Sequence, residues 1–450
     1  MQSVAESERG TEDAAQSVDE AAAVAAAPSA AEKAASKSRA HTADFLRVLL
    51  FTGVVIAHAV NSINTSPDVI RSANLVGTLL HLTRYGFVAV TLFVLVLSTR
   101  GRSMSPLAFW RRRFGLVVAP YLVWTVTYAI TDHVVIDGNP FPSPGAFLGV
   151  LGHDIVTGEG KYQLYFLLIS MQIYLFFPAI SWLLDRTTHR PWHVLGGAAA
   201  IQMAMFVLYQ YVPRPAGHAW DVAFDNLWKT LPMYALFVAI GALAAVHHES
   251  VERRLRAHAV PIVAACLAGT AFSVGAYVVA TSPGNVPLQS NTPWNPLLLP
   301  WLVSGLVMLW MLAMLWNDRR SADKRAAAGA VQYATFRAFG VFAVHPLVLD
   351  ILARVGFFGD LGDWFPHSAA IRTTVLVAVT LAASLVIVDI ALRTPMSRWL
   401  VARSRVPIRR KRADVEVTTP AIPVPLAPSG QAAPSVQAAP VTPAATSSQL

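Results

Sequence analysis

Ten apolar runs, near 45–63, 77–98, 114–131, 162–184, 192–211, 229–247, 260–280, 297–316, 334–354 and 371–392, constrain this chain more than any other feature. A helix needs about twenty apolar residues to cross a bilayer core of about 30 Å, and each run is long enough. In lipid every backbone amide must find its partner within the protein, so runs without strand alternation are expected to be helices. Composition agrees: at 54% hydrophobic and 14% charged residues, a chain of 450 residues is too apolar for an ordinary soluble domain. The expected fold is an all-α, polytopic membrane helix bundle of about ten transmembrane helices. The stretch 144–156 is too short and polar to span and reads as a re-entrant or interfacial piece.

Basic residues test that count, because a wrong number of spans would scramble their alternation between the two sides. Arg100, Arg102, Arg111, Arg112 and Arg113 fall in the second loop, Arg186 and Arg190 in the fourth, Arg253, Arg254 and Arg256 in the sixth, and Arg319, Arg320, Lys324 and Arg325 in the eighth. The third and ninth loops instead carry Asp132, Asp137, Asp154, Glu159, Asp360 and Asp363. The positive-inside rule then puts both termini in the cytoplasm. The formal charge of +9 becomes a topology signal, which removes the main support for nucleic-acid binding.

The Ala-rich segment 1–43 and the basic, then Pro/Ala-rich segment 401–450 have no sustained apolar face and are expected to be disordered cytoplasmic tails around a domain at 44–400. The N-terminus lacks the charged, apolar, small-residue order of a cleaved signal peptide. Cys266 is the only cysteine and lies in an apolar span, so it excludes an internal disulfide and reads as a small core residue. No phosphate-cradling Gly-rich loop, internal repeat or paired set of broken helices is evident.

Chemistry must therefore reside in the bundle. Arg47 and His58 are eleven positions apart in the first run, about three helical turns and about 16 Å along the axis, so both face one side of the helix. Ionisable groups at membrane depth are costly unless they face a cavity, a partner or a substrate. A neutral imidazole at position 58 suits a general base for an acceptor hydroxyl, whereas Arg47 suits an anionic donor; about 16 Å is the length scale of a pantetheine arm. The competing readings are a core His held by a neighbouring helix and an Arg that snorkels to the interface.

The first run, LRVLLFTGVVIAHAV, resembles the opening helix of the acyltransferase-3 family, whose most specific mark is this Arg, ten residues, His spacing. FWRRRFGLVVAPYLVW at 109–124, KYQLYFLLISMQIYLFFP at 161–178 and FRAFGVFAVHPLVL at 336–349 are similar to its basic loop, its aromatic fourth helix and its late His-Pro segment. The resemblance covers roughly 44–400 in matching order. It implies a ten-helix membrane enzyme that moves acyl groups from cytoplasmic donors onto sugars and lipids outside. Two departures stand out: TLFVLVLSTRG lacks the family's Ser-Gly pair, and Gln163 stands where many members have His.

The resemblance supports His58 and Arg47 as catalytic residues and Arg111, Arg112 and Arg113 as substrate-binding ones. Arg84 and His345 are expected to bind substrate from their places in the second and ninth helices, against an ion pair of Arg84 with a carboxylate such as Asp350 and a structural role for His345, and no metal is expected. Arg111, Arg112 and Arg113 would grip coenzyme A phosphates, with Arg112 and Arg113 favoured over Arg111; Arg84 would meet an anionic acceptor or orient His58. Asp350 and Arg354 are expected to pair, Asp389 to pair with Arg393, Asp44 to cap the first helix, and Arg337 to meet a phosphate or headgroup. The expected activity is O-acyl transfer of acetyl or succinyl from acyl-CoA to a hydroxyl of an envelope glycan or glycolipid. No cofactor beyond the acyl-CoA donor is expected; the partners are that donor, the acceptor and the lipid bilayer, with no nucleic acid and a homodimer left open. The alternative is a glycolipid or polysaccharide transporter or flippase.

Overall fold

A computed structural model describes residues 30–100, 105–136, 138–282, 290–324 and 327–407, without side-chain detail at 30–40 and 323–324. The expected tails at 1–29 and 408–450, and the loop residues Arg102, Asp137 and Arg325, lie outside the described residues. The described residues up to Val406 form one compact unit.

The described residues form a helical bundle, and among them ten spans are long and apolar enough to cross a membrane. They are α1 (Ala30–Ile63); α2 (Ile70–Leu80) with α3 (Leu82–Thr99) as one interrupted span; α4 (Pro106–Val135); α6 (Tyr165–Thr187); α7 (Pro191–Tyr211); α8 (His218–Leu227) with α9 (Ala235–Val246) as a second interrupted span; α11 (Ala259–Ala280); α12 (Leu299–Arg319); α13 (Ala328–Arg354); and α15 (Ala369–Arg393). All ten overlap the ten apolar runs. The shorter α5 (Pro144–Thr157), α10 (His248–Ala257), α14 (Phe357–Trp364) and α16 (Ser397–Val401) lie between or after them.

Sequence explains the helix ends. Pro106, Pro144 and Pro191 open their helices at a position whose N–H needs no partner. Ser143 caps α5 by accepting from the Ala146 amide, and Gly158 closes it at φ +77°, a conformation that favours Gly. The segment expected to be a re-entrant or interfacial piece is thus a capped helix too short to span. Helix α1 reaches back to Ala30, into the expected tail, so Asp44 lies inside the helix and does not cap it.

Both interruptions keep their backbone groups satisfied, as membrane depth requires. At the α2–α3 break the Leu79 carbonyl accepts from the Trp301 indole at 2.8 Å and the Leu80 carbonyl from the Thr83 hydroxyl at 2.9 Å. Between α8 and α9, Gln172 donates to the Lys229 carbonyl and accepts from the Leu231 amide, while Gln202 does the same for the Met233 carbonyl and the Leu236 amide. Paired broken helices, absent from the sequence reading, are therefore present.

Helices in lipid associate through close packing more than through a hydrophobic gain. A Cβ added at Gly241 would stand 2.0 Å from the Ala89 carbonyl oxygen, so α3 and α9 touch backbone to backbone. Cys266 is buried in α11 as a small free thiol. The Phe45 and Trp316 rings stack at 4.7 Å, Arg100 donates to the Val246 carbonyl, and Arg256 pairs with Asp318. These contacts gather the second, sixth and eighth loops at the end of the bundle where Arg47 lies. Phe87 packs against both large apolar clusters of the core, and the site is built around it.

Candidate active site

Helix α1 lines the site with Arg47, Phe51, Val54, His58 and Asn61, steps of four, three, four and three residues along one helical face. Helices α2–α3, α6 and α13 close the other sides. Two cavities result. One, of about 320 Å³, is lined by Arg47, Ser170, Tyr174, Thr335 and Arg403; the other, of about 210 Å³, by His58, Asn61, His81, Arg84 and Tyr162. Phe87, Phe166 and Phe342 belong to both walls. Their rings are 5.7 Å (Phe87 to Phe166) and 6.2 Å (Phe166 to Phe342) apart, a septum of three phenylalanines.

In the second cavity the His58 ring lies between the Tyr162 ring at 4.3 Å and the His345 ring at 5.3 Å. Among the described residues no side chain hydrogen-bonds either ring nitrogen of His58, which leaves both for a ligand. Position 345, expected to bind substrate, is fully buried and forms no part of the cavity wall. His345 Nδ1 lies 3.1 Å from the Val341 carbonyl, so it carries the proton; Nε2 is then a bare acceptor, buried with no partner among the described residues. Its position suits support of His58 from behind. Pro346 removes the next backbone donor beside it.

Tyr162 is 43% exposed and marks the opening of this cavity. Lys161 lies 5.9 Å from the Tyr162 ring and bridges Asp132 and Asp350, each at 2.8 Å. Asp350 therefore gives its charge to Lys161, where sequence spacing suggested Arg354. Nearby, Glu159 joins Lys229 at 2.5 Å and His153 at 3.0 Å. Desolvation pulls the Glu159 carboxyl up, but hydrogen bonds from Lys229 and His153 outweigh it and hold its pKa below the ordinary value. Gln163 lines the His58 cavity, and its Oε1 is buried without a hydrogen-bond partner among the described residues.

Arg84 also lines the His58 cavity. Its guanidinium carbon lies 5.0 Å from the Tyr165 ring, 5.6 Å from Trp228 and 5.9 Å from Trp294. At the other cavity Arg47 pairs with Asp44 at 3.2 Å. Of the three consecutive arginines, Arg111 and Arg112 are exposed, and Arg113 alone turns inward, its guanidinium 5.7 Å from the Phe109 ring. Arg403, from the segment after α16, completes this wall; burial and then the Arg47 charge lower its pKa, against Asp44. No motif singled it out.

Arg337 meets Asp389 at 2.6 Å, and Tyr333 donates to the same carboxylate. Arg393 donates to the Asp389 backbone carbonyl, so the expected local side-chain pair is replaced by one across helices.

One cavity thus offers guanidiniums to an anion and the other an imidazole without a side-chain hydrogen bond among the described residues, and the two share a wall of three phenylalanine rings. Residues 41–389 match the sequence model of a family described as an acyltransferase domain. No curated protein and no solved structure matches the chain.

Proposed function

Since the chain belongs to the acyltransferase-3 family of membrane acyltransferases, we propose that it transfers a small acyl group, acetyl or succinyl, from cytoplasmic acyl-CoA to a hydroxyl of an envelope glycan or glycolipid. The observation that carries this reading is the pair of cavities sharing a three-phenylalanine wall, with Arg47 at one end and His58 at the other. The basic loops beside Arg47 support, by the positive-inside rule, a cytoplasmic position for that end and for both termini in the plasma membrane.

Arg47, Arg113 and Arg403 hold the phosphates of the donor by charge-assisted hydrogen bonds, and the thin thioester arm passes between the rings of Phe87, Phe166 and Phe342. In the second cavity His58 takes the proton of the acceptor hydroxyl as its oxygen attacks the thioester carbonyl. The carbon–oxygen bond forms, the carbon–sulfur bond breaks, and the proton on His58 passes to the departing thiolate, so the imidazole returns neutral. Closed rings keep bulk water from the thioester.

The test is purified protein in nanodiscs with radiolabelled acetyl-CoA and an envelope glycolipid extract, beside His58→Ala. Label transfer with stoichiometric coenzyme A release, lost in the variant, supports the reading. The interrupted spans favour one competitor, since transporters bind substrate at broken helices; donor-independent glycolipid movement without transfer would decide for it.

A further inference from the structure

The His58 cavity contains a cation without a counter-ion. Arginine stays protonated at any physiological pH. Among the described residues no carboxylate lines this cavity. The acidic groups nearest its opening are already engaged, Asp132 and Asp350 with Lys161 and Glu159 with Lys229 and His153. Arg84 Nη1 is buried with no hydrogen-bond acceptor among the described residues, and three aromatic rings, from Tyr165, Trp228 and Trp294, surround the guanidinium. Aromatic faces offset part of the desolvation of a cation but accept none of its N–H bonds. A buried charge left in that state is costly unless a partner arrives.

We infer that Arg84 is the anchor of an oxyanion subsite: the molecule acylated or delivered at His58 carries a carboxylate or phosphate that pairs with this guanidinium. The inference deepens the proposed function, because it takes the His58 cavity as the reaction chamber. A planar fork facing a cavity of about 210 Å³ suits two-pronged binding of a carboxylate or phosphate, which a point charge would not select. His81, one turn before Arg84, is committed elsewhere, its Nε2 held 3.0 Å from the Asn291 carbonyl, so Arg84 is the charged contact of the chamber. The anion has two sources: an acidic sugar or phosphate on the acceptor, or the free carboxylate of a dicarboxylic acyl group. Both present the same chemistry to Arg84.

The experiment is equilibrium binding to the full chain in neutral phosphatidylcholine nanodiscs, read by tryptophan fluorescence, since Trp228 and Trp294 flank the guanidinium. One arm compares glucuronic acid with glucose; the other compares succinyl-CoA with acetyl-CoA, in which the coenzyme contribution cancels. We expect the charged member of at least one pair to bind ten-fold or more tightly, and the responding arm to identify the source. Arg84→Gln should erase that preference, Arg84→Lys should keep part of it, and Arg84→Met fills the aromatic cage should the Gln variant fail to fold. No preference in the wild-type protein, or a preference that survives in Arg84→Gln or Arg84→Met, overturns the inference. Binding needs no turnover, so failure here is separable from failure to transfer an acyl group.

Discussion

The imidazole of His58 stacks on that of His345, centroids 5.3 Å apart, and the buried ring is itself fixed by a 3.1 Å bond from Nδ1 to the Val341 carbonyl. His58 is thus held by ring contacts, and among the described residues no carboxylate is bonded to it. His58→Ala is expected to lower kcat by about 10² to 10⁴-fold, the usual worth of a general base. His345→Phe retains the stacking surface but loses the bond to Val341; kcat should fall about ten-fold with donor KM unchanged. A change confined to KM in steady-state kinetics would mean that position 345 contacts substrate.

Opening the septum should uncouple the reaction. Phe166 touches both cavities and both neighbouring rings, so Phe166→Ala joins the chambers and admits water. The expected result is coenzyme A release that exceeds label transfer, together with tolerance of longer acyl chains. Equal release and transfer in the variant would show that the rings do not separate the chambers.

Arg403 should matter where Arg111 and Arg112 do not. Replacing Arg403 or Arg113 by Ala is expected to raise the KM for acyl-CoA about ten-fold and to flatten its dependence on ionic strength, because each removes a charge beside Arg47. Arg111→Ala and Arg112→Ala should change KM less than two-fold. Donor titrations at two salt concentrations check all four.

The tie between Lys229 and Glu159 gives a pH signature. Because the folded pKa of Glu159 is lowered, its contribution to stability is present above the ordinary carboxylate pKa and is lost as pH falls through the folded value. Glu159→Gln should therefore melt below the wild-type protein at neutral pH, with the gap closing in acid. A constant gap in thermal unfolding from pH 3 to 7 would contradict the assignment.

Gly241→Ala should disrupt the bundle more than its size suggests. The new methyl would meet the Ala89 backbone, which cannot rotate away, so the cost should match or exceed the 1–3 kcal/mol or so typical of overpacking. Detergent size-exclusion profiles after heating report this directly.

Much of the fold was legible because a spanning helix writes its length in apolar residues. The edges were not: α2 and α8 carry polar residues such as Arg71, Asn74, Asp221 and Asp225, which read as loop although the helices are continuous with their spans. That Arg47 and His58 share one helical face was legible from one spacing. Which of Arg111, Arg112 and Arg113 turns inward was not legible from their succession, because neighbours on a helix point about 100° apart, so one of them at most faces the bundle. The Lys161–Asp350 and Arg337–Asp389 pairs, the Arg403 wall and the phenylalanine septum join separate helices, and no spacing within one helix encodes them.

The central claim is that an acyl group enters at Arg47 and leaves at His58. The most direct measurement uses sealed proteoliposomes with oriented protein, radiolabelled acetyl-CoA only on the side of Arg47 and envelope glycolipid only in the opposite leaflet. The account predicts labelled glycolipid in that far leaflet, coenzyme A retained on the donor side, and neither product from His58→Ala. Label that appears only when donor and acceptor share a side, or that persists without His58, would contradict it.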